Sequence, residues 1–73
     1  MVTPTPALPL RVNGVPAEAQ PGETVLALLQ RLGLHREGVA VAVNMQVVPR
    51  GQHASRQLEA GDRVEVIQAV GGG

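Results

Sequence analysis

The sequence ends Val70-Gly71-Gly72-Gly73, and these are the residues best suited to chemistry. Three glycines bury no side chain and gain entropy by remaining flexible, so composition alone reads them as a flexible tail. Their place directly after an apolar, strand-forming segment adds a second reading. A strand holds the root of the tail rigidly, and four extended residues reach at most about 13–14 Å. An arm without side chains enters channels too narrow for anything larger, and its terminal carboxylate then becomes a substrate group. A carboxylate is a poor acyl group until it is converted to a mixed anhydride, for which ATP-dependent adenylation is the usual solution.

Other polar residues offer less. Arg50, His53 and Arg56 make a small cationic patch for a partner or an anion, or more simply a solvated loop. His35 follows a helix end and suits the dipole there. Ser55 stands two residues from His53, but no acid is placed to orient a triad. Asp62 and Glu65, near the last strand, are candidate contacts for a basic partner surface. Val48 and Ile67 are candidate apolar docking contacts on the outer face of a sheet. No set of residues is spaced as a catalytic or metal site.

The composition narrows the classes further. The 73 residues include no cysteine, lysine, phenylalanine, tyrosine or tryptophan, and six arginines balance six acids. A chain of this length makes one small domain, burying only about 60% of its unfolded surface. Without cysteine there is no disulfide, zinc finger, iron–sulfur ligation or thiol nucleophile. Zero net charge and absent aromatics argue against a nucleic-acid-coating role. No run of about 18 apolar residues suggests a membrane span, and the first residues do not read as a signal peptide. A cytoplasmic protein is expected.

The elements that must position the tail follow from periodicity. Residues 1–7, with Pro4 and Pro6, read as a disordered lead-in. A strand over residues 8–13 alternates Leu8, Leu10 and Val12 with polar or proline positions. Asn13-Gly14 is a strong type I′ hairpin signal, returning the chain as a second strand over residues 15–20. Thr24 suits a helix N-cap, and Val25, Leu28, Leu29 and Leu32 form one apolar stripe ended by Gly33, with Leu34 folding back. Val39-Ala40-Val41-Ala42-Val43 suits a central strand, covered on both faces or by the helix on its valine side. Residues 44–46 read as a turn and Val47-Val48 as a short strand stopped by Pro49. Residues 50–57 form a loop with a helical turn, anchored by Leu58. Gly61-Asp62 turns into a last strand over residues 63–70, with Val64 and Val66 facing opposite to Arg63, Glu65 and Ile67. One helix across a mixed sheet is the economical way to bury these faces. The expected class is α+β with a β-grasp, or ubiquitin-like, arrangement over residues 8–70 and a flexible glycine tail over residues 71–73.

Several segments, in this order and spacing, carry a resemblance. They are Val12-Asn13-Gly14, Gly22-Glu23-Thr24-Val25, Leu32-Gly33-Leu34, the 38–44 segment ending Val-Ala-Val-Asn, Val48-Pro49-Arg50, Gly61-Asp62-Arg63-Val64 and the terminal glycines. Together they span about nine-tenths of the chain, from Leu8 onward. The sequence resembles the ThiS sulfur carriers within the wider ThiS/MoaD family. That resemblance implies a co-substrate acting with enzymes, with no bound cofactor. A ThiF-type adenylyltransferase uses MgATP to adenylate Gly73. A cysteine desulfurase or rhodanese-type donor then supplies sulfur for a Gly73 thiocarboxylate. A ThiG-type thiazole synthase takes that sulfur in thiamin biosynthesis, and Gly71 and Gly72 line the approach to each partner's active site. Two features depart from the family pattern: a third glycine, and His53 at a position where many relatives carry a bulkier or aromatic residue. A carrier for molybdopterin synthesis or tRNA thiolation, a ubiquitin-like modifier or binding module, and a stand-alone domain with a dispensable tail are the alternatives. Lacking lysine, the chain cannot be polymerised through its own lysines, though it can still be attached to other proteins.

Overall fold

In the computed structural model, which describes residues 6–68, five strands and one helix follow in the order β1 (Leu8–Val12), β2 (Val15–Ala19), α1 (Val25–Arg31), β3 (Val39–Val43), β4 (Gln46–Val48) and β5 (Arg63–Gln68). A 3₁₀ turn at Arg50–Gln52 precedes β5. Residues 1–5 of the expected lead-in, residues 69 and 70 of the expected domain and the glycine tail 71–73 lie outside the described residues.

Both hairpins turn on asparagine. Asn13 and Gly14 take φ of 52° and 81°, the positive values that a two-residue turn matched to strand twist requires. Asn44 and Met45 repeat the arrangement at 52° and 69° between β3 and β4. Gln46, expected in that turn, therefore pairs with Val43 as the first residue of β4.

The helix is only two turns long, too short to be stable by itself, and its termini are tied down. Thr24 Oγ1 accepts the Ala27 N–H at 3.1 Å. The Val25 and Leu26 N–H groups donate to the carbonyls of Arg56 and His53 at 2.9 and 2.8 Å, so the loop after the 3₁₀ turn satisfies the helix's unpaired donors. At the other end Gly33 takes φ 71°, and the Leu34 N–H reaches back to Leu29 O at 2.8 Å. Leu32, expected in the buried stripe, is the C-cap and lies partly exposed because the helix ends before it. Glu23 accepts from Arg31 Nε at 2.9 Å and from the Gln20 N–H at 2.8 Å. Burial raises its pKa, but the hydrogen bonds from Arg31 and Gln20, with the Arg31 charge, outweigh that and hold it below its ordinary value.

The sheet order is β2-β1-β5-β3-β4, with β1 and β5 parallel and the other pairs antiparallel. This is the β-grasp arrangement. The middle place belongs to β5, not to the 39–43 strand, which is fourth of five. Of the two coverings open to that strand, one-sided burial holds: its three valines are buried and Ala40 is exposed. Leu10, Val12, Val41, Val43, Val48 and Val64 pack with Val25, Leu28, Leu29 and Leu58 into one core between sheet and helix. Leu58 anchors its loop as expected.

Candidate functional site

β5 is held differently along its length. At its start it lies between two strands, with Arg63 and Val64 opposite Arg11 and Val12 of β1 and Val64 opposite Val43 of β3. Toward its end the pairing with β3 continues to Gln68 opposite Val39, while β1 has already turned away. The strand therefore enters the sheet enclosed and reaches Gln68, the last described residue, with one open edge.

Alternation sends Arg63, Glu65 and Ile67 to the face of the sheet away from the helix, with Val64 and Val66 toward it, as the sequence predicted. Register puts Ile67 opposite Ala40, Glu65 opposite Ala42, and Ala42 opposite Val47. Ala40, Ala42, Val47 and Ile67 thus form a shallow apolar patch beside Glu65 and close to the end of β5. Ile67 is 58% and Val47 75% exposed, and Met45 stands out in the adjoining turn. Nothing in the described residues covers this patch.

Three expectations for the surface are corrected. Val48 is 7% exposed and belongs to the core; it sits opposite Val41, so its neighbour Val47 carries the outward position. A shift of one residue in a strand exchanges the two faces. Asp62 is 4% exposed and is a structural hub. Its Oδ1 accepts from Asn44 Nδ2 and its Oδ2 from the Glu59 N–H, at 2.9 and 2.8 Å, with Arg56 at 3.9 Å. A carboxylate engaged in this way has no free face for a partner, and Glu65 alone of the two acids remains exposed.

His53 is also buried, with Nε2 3.0 Å from Val48 O. Its ring fills space between the 3₁₀ turn and β4, so it is not part of a solvated loop. The expected cationic patch divides as a result. Arg50 and His53 line a groove of about 300 Å³ with His35, Arg36 and Leu29, whereas Arg56 turns toward Asp62 and the Gln57 carbonyl. Among the described residues no three of His, Cys, Asp and Glu converge as a metal site, and no helix is long and apolar enough to cross a membrane. The modified residue, Gly73, and the approach residues Gly71 and Gly72 lie outside the described residues.

The ThiS family model matches residues 10–73. The chain belongs to the ThiS family. A solved structure of thiamine biosynthesis protein ThiS from Geobacter metallireducens superposes with a TM-score of 0.78 at 32% identity, covering 90% of this chain and all of that one. The sulfur carrier protein ThiS of Escherichia coli is 40% identical over 52 residues, which are 71% of this chain and 79% of that protein. The thiazole synthase of Magnetococcus marinus is 41% identical over 64 residues, 88% of this chain. The match spans only 20% of that enzyme's length, so the enzyme contains a ThiS-like segment within a much longer chain. Family membership gives meaning to the position of the apolar patch, which adjoins the strand leading to the terminal glycines.

Beyond the faces of Val47 and Val48 and the burial of Asp62, two features of the site escaped sequence reasoning. The side chains of Asn13 and Asn44 both reach β5, and His53 is buried. The first had a signal, since both asparagines follow a valine at the end of an alternating run. The second had none in the surrounding polar loop.

Proposed function

We propose that this chain is a sulfur carrier, a protein co-substrate whose Gly73 carboxylate is activated and then loaded with sulfur for thiazole formation in thiamin biosynthesis. The observation that carries the reading is that the strand preceding the glycines ends beside an uncovered apolar patch, in a chain of the ThiS family. A ThiF-type adenylyltransferase docks on Ala40, Val47 and Ile67, with Glu65 at the rim, and draws the tail into its active site. The Gly73 carboxylate attacks the α-phosphorus of MgATP and pyrophosphate leaves, giving an acyl-adenylate. A persulfide from a cysteine desulfurase or rhodanese-type donor attacks the acyl carbon and AMP leaves. The product is an acyl disulfide that still holds the donor's original sulfur–sulfur bond. A second thiol attacks the donor sulfur, forms a disulfide with it and expels the Gly73 thiocarboxylate.

A thiazole synthase is the acceptor. The Magnetococcus marinus enzyme that carries a ThiS-like segment in its own chain supports that pairing. The chemistry needs ATP and reduced thiols, which supports a cytoplasmic setting. No side chain of the carrier takes part in bond making; its contribution is to hold the tail at a fixed point relative to a docking face.

The test is intact-mass analysis after incubation with a ThiF-type enzyme, MgATP and a sulfur donor. The full chain is expected to gain the mass of sulfur in place of oxygen, and a chain lacking Gly72 and Gly73 is expected to gain nothing while keeping its fold. A full chain that no such enzyme adenylates would falsify the reading.

A further inference from the structure

In a parallel ladder the bonds are evenly spaced, each residue of one strand bridging two of the other. Between β1 and β5 the Arg11 N–H donates to Asp62 O at 3.0 Å and the Asn13 N–H to Val64 O at 2.8 Å. The next rung calls for the Val66 N–H to donate to an acceptor at position 13. The backbone carbonyl of Asn13 is turned aside by its φ of 52° as the chain enters the hairpin. Its side-chain Oδ1 takes the bond instead, at 2.8 Å. Asn44 does the same on the opposite edge: its N–H donates to Arg63 O at 2.8 Å, and its Oδ1 accepts the Arg63 N–H at 3.0 Å. Each asparagine ends a strand in the left-handed region, which it tolerates better than most residues. Each side chain then supplies the acceptor that the turn removes.

The two substitutions differ in what they hold. Asn44 acts at Arg63, where β5 begins and is enclosed. Asn13 acts at Val66, after β1 has ended, two residues before Gln68. Beyond Val66 the described part of β5 is paired with β3 alone. We infer that Asn13 is a positioning residue for the tail: its Oδ1 fixes Val66 from the open edge and so sets where the glycines leave the sheet. The inference rests on the carrier reading and deepens it, adding a residue that touches no substrate yet governs how often the tail is aimed correctly.

Asn13→Gly keeps the turn, since glycine adopts positive φ freely, and removes only the acceptor. Asn13→Asp keeps an acceptor oxygen at the same place. In the full-length Asn13→Gly chain, amide hydrogen exchange at Val66 is expected to speed up by roughly 3- to 10-fold, the factor corresponding to one modest hydrogen bond. With a ThiF-type enzyme, kcat for adenylation is expected to fall by a similar factor while KM for the carrier stays within about twofold, because the docking face is untouched. Asn13→Asp is expected to restore both exchange protection and kcat. A Gly variant with wild-type kcat, or an Asp variant as slow as the Gly variant, overturns the positioning role. Unchanged exchange at Val66 overturns the clamp itself without reference to any enzyme. A wild-type chain that is never adenylated overturns the carrier reading, and the positioning role with it, even if the exchange result shows the clamp is real.

Discussion

Val47 and Val48 are adjacent valines on the same three-residue strand, yet one is 75% exposed and the other 7%. The contrast extends across the sheet. Val41, Val43, Val64 and Val48 face the helix and make the core, while Ala40, Ala42, Val47 and Ile67 face away from it, with none of the described residues packed over them. Both sets of residues are apolar, but only the first belongs to the buried core. A solvated sheet face ordinarily alternates to polar residues. The outer face follows that rule at Arg63 and Glu65 but not at Ala40, Val47 and Ile67. An exposed apolar patch of this kind suits contact with another protein better than it suits stability.

The sharpest way to break this comparison is to place the same charge on each member of the valine pair. Val48→Asp buries a carboxylate without a partner and is expected to cost several kcal/mol, enough to unfold a domain this small. Val47→Asp is expected to leave stability within about 0.5 kcal/mol, both read by urea denaturation. If the two variants unfold alike, the faces are not distinct. Ile67→Asp comes next: stability is retained, but affinity for the adenylyltransferase falls by about 10- to 100-fold, measured by titration calorimetry. Equal affinity would move the docking site elsewhere.

The smallest effect concerns neither face. Because the Glu23 pKa is lowered on folding, its contribution to stability is complete above the unfolded value near 4.5 and is lost as pH falls through the lower folded value. Glu23→Gln is expected to flatten that acid limb while leaving binding through the outer patch unchanged. Denaturation midpoints of the two chains between neutral and acid pH check this.

Much of this frame is legible in the residues themselves. Thr24 with the Val25, Leu28 and Leu29 spacing locates the helix, Asn13-Gly14 locates the first hairpin, and alternation gives the correct faces for β5. What escapes reading depends on partners remote in sequence. A strand of three residues has too little periodicity to say whether Val47 or Val48 points inward; that is decided by Val41 across the ladder. Asp62 looks like a surface acid until Asn44, eighteen positions away, is placed beside it. His53 sits in a polar loop and is buried because Val48 O lies within reach. The central position of β5 rests on pairing with both β1 and β3, which no local pattern records.

That central position bears on the order in which the protein can be made. The two hairpins are synthesised first, yet they share no direct pairing and are joined only by β5, which comes after both. A nascent chain therefore carries two separate ribbons until its last strand emerges and closes the sheet between them. The outer patch draws on β3, β4 and β5 together, so it does not exist before that moment. An enzyme that recognises the patch acts on folded chains and passes over unfinished ones, with no separate device for inspecting them.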